Sequence, residues 1–497
     1  MGLSIERERF TADEFAHFSD RLQDSMGVLR ALIARPDFGR GEPSIGAEVE
    51  LHLVDANGAP LAKNAEVLAT AGDPRLTLEI NRFNLEVNAR PVSLRGAPFA
   101  SLRRELTCVL SLLRDGAARH GARAVMVGIL PTLQVSQLAE GVLSDAPRYR
   151  ALSRTLRDMR GEPFAVHIKG RESLAAQCDD VALEGANCSF QVHLRVEPAQ
   201  FVRAFNAAQL AAAPVLAACS NSPFFDAKAL WDETRIALFQ QSVDTRLGAR
   251  ERSRMPSRVS FGYGWQRHPA DQFAENVALH PALLPACGHE DLKAALHTQS
   301  TALLEELRLH HGTVWNWNRT VFDPEGGGHL RIEHRLLPSG PTVIDMVANA
   351  ALTLGLTLGL SADMENVAAI FPFSYAEQNL YLAAKNGLSA ELSWPSARAP
   401  SPRTRPARDL VLELLPIAEA GLVGGGVDQN EARELLGIVR ERVTTGRTGA
   451  VVQRAFVERH EQRHGAGREA ALRALVEWYL EWSWRDLPVH RWPLDDS

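Results

Sequence analysis

A chain of 497 residues, 45% hydrophobic and 23% charged, has the composition of an ordinary globular protein. At about 150 residues per domain it holds material for roughly three domains or one large catalytic unit with appendages. A net charge of −6 is too mild for electrostatic attachment to nucleic acid or to a membrane, and neither is expected as a partner. The cations are arginine almost throughout, 49 against five lysines, so most arginines must simply be surface charge.

The first ten residues, Met1 to Phe10, are charged and lack the apolar segment of a signal peptide. Five scattered cysteines (Cys108, Cys178, Cys188, Cys219, Cys287) contain no C-x-x-C pair, which argues against a disulfide framework or a cysteine zinc site. A reduced, cytoplasmic protein is expected. The most apolar stretch, Val343 to Leu360, is interrupted by Asp345, Asn349 and several glycines and threonines. It reads as a buried helix.

In chain order, 12–35 is patterned as a helix, 46–53 alternates as a strand, and 76–88 is again strand-like. An amphipathic helix is expected over 98–120, a short buried strand over 124–130, a strictly alternating strand over 188–196 and an alanine-rich packed helix over 199–219. A further alternating strand covers 330–337, followed by helix from Thr342. Strands and helices without regular β-α-β spacing indicate an α+β fold with a largely antiparallel sheet. The proline- and arginine-rich segment 391–408 reads as a linker or loop. It separates a main domain at 1–390 from a helical C-terminal region at 409–497.

The polar faces of the strands carry the chemistry. Successive side chains of a strand alternate, so with Ile45, Ala47, Val49 and Leu51 turned to the core, Glu48, Glu50 and His52 share the other face. Gln191, His193 and Arg195 share the polar face of the 188–196 strand, and Arg331, Glu333 and Arg335 share one face near 330–337. Glu79 and Glu86 are seven apart, an odd number. The segment Ile80–Asn84 must therefore turn or bulge for both to point the same way. These faces admit two readings: the solvent side of a half-exposed sheet with cross-strand ion pairs, or a site for polyphosphate and divalent cations. Carboxylate oxygens suit hard cations and guanidinium groups clamp phosphate.

Five short motifs occur in order: Gly46-x-Glu48-x-Glu50-x-x-Leu53-Val-Asp55, the Glu79…Glu86 pair, Ser189-x-Gln191-Val-His193, Ser220-Asn-Ser-Pro-Phe224 and Arg331-Ile-Glu333-His-Arg335. Together they resemble the glutamate–cysteine ligase type 2 family, which includes bacterial carboxylate–amine ligases, from about Gly46 to the helix after Asp345. The resemblance implies a glutamine-synthetase-like fold, a curved antiparallel sheet cradle flanked by helices. It implies an ADP-forming ligase that joins the γ-carboxylate of L-glutamate to L-cysteine through an acyl phosphate, a step of glutathione biosynthesis. ATP would be the co-substrate, with two or three Mg²⁺ ions.

By the same resemblance Glu48, His193 and Glu333 would hold one ion. Glu50, Glu79 and Glu86 would hold another, with Glu48, Glu50 and Arg335 acting in catalysis and Gln191, His193, Arg331 and Arg335 at the nucleotide. Arg235 and Arg258 are candidates to bind substrate, each against a structural reading, and Arg319 is a similar candidate. Two alternatives stay open: the same chemistry with another amine, and a nucleotide-binding homologue that turns nothing over.

His460-Glu-Gln-Arg-His464 matches the zinc-hydrolase pattern H-E-x-x-H. Its flanks are heavily charged and no third ligand is evident, so an exposed helix explains it better. Gly326–Gly328 and Gly424–Gly426 follow no strand in the order a dinucleotide fold requires, and no P-loop sequence exists.

Overall fold

The computed structural model describes residues 5–494 apart from 139–140, 293, 295–300 and 396–401. Its centre is a sheet of seven strands: β1 (Ser44–Val54), β2 (Leu76–Leu78), β3 (Asn84–Ser93), β4 (Arg123–Val125), β5 (Phe190–Arg195), β6 (Asn318–Asp323) and β7 (His329–His334). The order is β6-β7-β5-β1-β3-β2, with β4 paired to the end of β1, and every pairing is antiparallel.

The alternation in the sequence becomes the two faces of this sheet. Ile45, Ala47, Val49 and Leu51 of β1 are buried, as are Phe190, Val192 and Leu194 of β5, and all belong to one continuous core. Helices cover that face. The main ones before the proline-rich segment are α1 (Ala12–Ile33), α2 (Pro98–Ala118), α3 (Phe201–Cys219) and α4 (Val343–Ser361). Thr11 and Glu14 form a capping box that starts α1, and the Thr342 hydroxyl accepts from the Asp345 N–H to start α4. By length and composition 198–219 and 343–361 could each cross a membrane, but 89% and 83% of their apolar windows are buried inside the fold. They are apolar all round because they are packed all round.

Between β2 and β3 the chain turns, as the odd spacing of Glu79 and Glu86 requires. The Asn84 N–H closes on the Asn81 carbonyl at 2.8 Å, and the side-chain amide of Asn64 donates to the carbonyls of Asn81 and Asn84 and to the Ser144 hydroxyl. The buried strand expected over 124–130 is shorter, three residues of β4, and the chain then leaves the sheet.

The ends of the proline-rich segment are ordered. Strand β8 (Glu391–Trp394) pairs antiparallel with β9 (Arg403–Pro406), whereas 396–401, the middle of the expected linker, lies outside the described residues. Pro406 ends the ladder at its last pair, where its missing N–H does least harm. Four helices follow: α5 (Ala407–Gly424), α6 (Gln429–Thr445), α7 (Gly449–His464) and α8 (Arg468–Trp484). Leu410, Leu414, Leu435 and Val439 of α5 and α6 join the core that contains β1 and α4. Gly355, Gly359 and Gly421 let α4 and α5 approach closely, for a Cβ on any of them would fall within 2.6 Å of the opposite backbone. All five cysteines are free.

Candidate active site on the polar face of the sheet

His193 sits mid-strand on β5 with Gly46 of β1 and Glu333 of β7 as its register partners. Glu48 reaches the imidazole from two residues along β1. His193 Nε2 lies 2.9 Å from Glu48 Oε1 and 3.9 Å from Glu333 Oε1. On its other side Nδ1 accepts from Arg331 Nε at 3.2 Å, and Arg331 also pairs with Asp323.

A second group lies towards β3. Glu50 is directly opposite Glu86 in the β1–β3 register, and the turn after β2 swings Glu79 to the same place. Glu50 accepts from the Ser189 N–H at 2.6 Å and the Gln191 amide at 2.9 Å. Glu86 accepts from Thr77 at 3.2 Å and Asn88 at 2.8 Å, and Glu79 accepts from the Ile80 N–H at 2.9 Å. In each triad, Glu48–His193–Glu333 and Glu50–Glu79–Glu86, potential ligand atoms lie within 4.8 Å of one another. Among the described residues these are the two such groupings, and His460–His464, ring centroids 4.5 Å apart on α7, belongs to neither.

Charge compensation runs unevenly across the face. Burial opposes ionisation of Glu333, but Arg319 and Arg335 together hold its carboxyl well below the usual range. Glu48 is likewise held down, against burial, chiefly by His193. The second group lacks such partners. Burial raises Glu50 even with Arg335 near, and burial plus the Glu50 charge lifts Glu79 to about 8. Glu86 is raised well above its ordinary value by burial and by the surrounding carboxylates. One end of the face is therefore rich in guanidinium groups, and the other crowds carboxyl groups whose ionised forms are left without a cation and which take up protons or a metal ion instead.

Gln191 ties the halves together, its amide on Glu50 and its carbonyl oxygen 2.6 Å from Arg335 Nη1, which also donates to Glu333 Oε2 at 3.0 Å. Arg235 and Arg258, candidates for substrate contact, are differently placed. Both are buried, and each donates to main-chain carbonyls: Arg235 to Leu336 and Arg335, Arg258 to Thr313 and Pro281. Arg235 also pairs with Glu233 at 3.2 Å. That geometry suits bracing the loops around the sheet better than gripping a free carboxylate.

Two residues gain importance from the structure. Arg319, weighed only as a minor candidate, stands opposite Glu333 in the β6–β7 register and grips it. Reading 318–323 as a strand neighbouring 329–334 would have found it. Glu184, half-buried in the short helical turn 181–186, adds a sixth carboxylate to the face, and burial together with Glu50 lifts it to about 8. No periodicity marks it.

The donor sets fit divalent cations. Five carboxylates and one imidazole are hard or borderline ligands suited to Mg²⁺ or Mn²⁺, and the uncompensated Glu50–Glu79–Glu86 group is electrostatically incomplete without positive charge.

The description "Glutamate-cysteine ligase family 2" matches residues 44–473, most of the chain and well into the C-terminal helices. The chain belongs to this ligase family. The match continues past the helix after Asp345, where the motif resemblance ends, and takes in α5 to α7. A protein of Rubrobacter xylanophilus named "Putative glutamate--cysteine ligase 2-3" is 26% identical over 450 residues, 89% of this chain and 98% of that one. A relative from Mycolicibacterium vanbaalenii, "Putative glutamate--cysteine ligase 2-2", is 34% identical over 109 residues, 22% of this chain and 28% of its own. Among solved structures, glutamate–cysteine ligase from Francisella tularensis in complex with AMP superposes with a TM-score of 0.56 at 11% identity, covering 92% of this chain and 91% of that one. The family member described here thus shares the fold of that solved glutamate–cysteine ligase, an antiparallel sheet flanked by helices with a helical C-terminal region.

Proposed function

We propose that this protein is an ATP- and Mg²⁺-dependent carboxylate–amine ligase that activates the γ-carboxylate of L-glutamate and joins it to an amine, L-cysteine first among candidates. The observation that carries the reading is the pair of three-ligand groups on one sheet face, with guanidinium groups at one end and bare carboxylates at the other. Five free cysteines suit a reducing compartment, and the cytoplasm is the proposed location.

Joining a carboxylate to ATP brings two anions together, so positive charge must hold both before in-line attack. Glu48, His193 and Glu333 would hold an ion at the nucleotide phosphates, and Glu50, Glu79 and Glu86 an ion nearer the acceptor carboxylate. When bound, such ions neutralise phosphate and carboxylate oxygens and orient them. Arg335, fixed by Glu333 and Gln191, presents its remaining N–H groups to the phosphoryl group in transit. Gln191 keeps Glu50 and Arg335 in register. The Arg331 contact leaves the imidazole proton of His193 on Nε2. Engaging an ion through Nε2 therefore requires that proton to move to Nδ1 and Arg331 to turn away. Gln191, His193 and Glu333 are all nearly inaccessible to solvent, which suits an acyl phosphate that water would destroy.

The test is ADP release from Mg²⁺-ATP and L-glutamate across a panel of amines, beside a Glu48→Ala variant. Amine-dependent release that disappears in the variant supports the reading and names the amine. Nucleotide binding without turnover on any amine contradicts it.

A further inference from the structure

Away from the sheet, a cavity of about 370 Å³ opens where the 170 turn, the 385–389 segment and the start of α7 meet, and four cations line it: Arg171, Lys385, Arg408 and Arg454. Lys385 is one of only five lysines in the chain. Arg171, Lys385 and Arg408 are exposed at the rim, whereas Arg454 is buried at 4% exposure.

The acids facing this group are few. Asp232 lines the cavity and accepts from Arg454 Nη2 at 2.7 Å, and Glu458 lies 3.7 Å from Arg171. Arg408 spends one N–H group on the Thr444 carbonyl. Arg454 Nη1, buried at the cavity wall, has no hydrogen-bond partner. Burial pulls its guanidinium down despite Asp232, the behaviour of a cation short of compensation. The wall is tightly built: a Cβ on Gly387, at φ 53°, would lie 2.2 Å from Asp232 Oδ2, and one on Gly170 would lie 2.5 Å from the Leu230 backbone. Only glycine fits at either point.

We propose that this cavity is a binding site for a small phosphate-bearing anion, held by Arg454 from below and by Arg171, Lys385 and Arg408 from the rim. Guanidinium groups match the oxygens of a phosphate, and three exposed cations around one buried cation can surround free phosphate or a phosphate monoester. The site connects to the catalytic face through three residues. Asp232 precedes Glu233, which pairs with Arg235, and Arg235 holds the carbonyls of Arg335 and Leu336. An anion that shares Arg454 with Asp232 therefore acts on the segment that positions Arg335. This site is separate from the triads, and its existence does not depend on the ligase reading.

Calorimetric titration of the full chain tests it, with inorganic phosphate and then glycerol phosphate, in EDTA so that the carboxylates of the sheet repel the probe. One site is expected in the wild type and in Glu48→Ala, at least about tenfold weaker in Arg171→Gln/Lys385→Gln, where two charge-assisted contacts are gone. Arg408→Gln, changed at another exposed position, provides an independent weakening. Tighter binding of one probe distinguishes free phosphate from an ester. Absence of binding at millimolar phosphate, equal affinity in the rim variants, or loss of binding in Glu48→Ala alone would each overturn the proposal.

Discussion

Arg319 and Glu333 stand opposite each other on neighbouring antiparallel strands, with Arg319 Nη2 donating to Oε1 at 3.0 Å and Nε 2.7 Å from Oε2. Arg335 approaches the same carboxylate from two residues along the chain. Glu333 is thereby fixed and kept ionised, while the Glu50–Glu79–Glu86 group has no comparable cation. Arg319→Ala removes one of the two guanidinium groups from a buried carboxylate. It is expected to lower unfolding free energy by about 3 kcal/mol, near the low end for breaking a buried pair because Arg335 remains. Urea unfolding monitored by tryptophan fluorescence checks this, and an unchanged midpoint would mean the pair is dispensable.

The bare carboxylates carry the opposite expectation. Glu79 titrates near 8 in the folded chain and near 4.5 when unfolded, so between those values the folded state binds the extra proton. Its contribution therefore disfavours folding increasingly as pH rises from 4.5 to 8. Glu79→Gln should stabilise the EDTA-treated protein by about 1–3 kcal/mol at pH 8 and by little at pH 5, read as a higher melting temperature at pH 8. Activity with Mg²⁺ should meanwhile fall by about two orders of magnitude or more. A destabilised Glu79→Gln at pH 8 would show that the carboxylate is already compensated within the fold.

Five buried histidines set the acid limit. Burial holds His52, His280, His311 and His334 down to about 3 and His310 to about 4, against 6.5 when unfolded. Below pH 6.5 the unfolded chain takes up protons that the folded chain refuses. Each histidine then removes up to about 1.4 kcal/mol per pH unit until its folded value is reached. Melting temperature should drop steeply from pH 6 to pH 4, and His280→Gln should make that drop shallower. A flat acid limb would contradict the assignment.

The C-terminal helices are held to the catalytic core by a buried ion pair. Arg442 of α6 donates to Asp345 Oδ1 at 2.7 Å and to Asn349 Oδ1 at 2.6 Å on α4, and Asp345 also accepts from the Thr342 hydroxyl and the Val489 N–H. Arg442→Ala leaves Asp345 buried with a charge unpaired, an expected loss of about 3–5 kcal/mol. A chain ending at 408 exposes the α4 surface and should be recovered as insoluble material. A soluble truncated chain that still binds ATP would mean the tail is an independent unit.

The sequence announced the sheet because one face of each strand is apolar and alternation is visible over six or more residues, as in Ile45–Leu53 and Phe190–Val196. The odd spacing of Glu79 and Glu86 demanded a turn, and Asn81–Asn84 supplies it. Pairing between strands was not legible, since register depends on neighbours far away in sequence. Arg319 therefore stayed obscure until β6 was seen beside β7. The burial of Arg235 and Arg258 was invisible for a related reason: main-chain carbonyls that accept from arginine leave no mark in the sequence. The role of α5 and α6 was hidden too, because an amphipathic helix shows that it packs but not against what.

The central claim is that ATP phosphorylates the γ-carboxylate of glutamate on this face before the amine attacks. L-Glutamate carrying ¹⁸O in its γ-carboxylate, incubated with Mg²⁺-ATP and the active amine, tests it by mass spectrometry of the released phosphate. The account predicts one ¹⁸O in the inorganic phosphate per amide bond formed. Unlabelled phosphate, or label recovered in AMP, would contradict it.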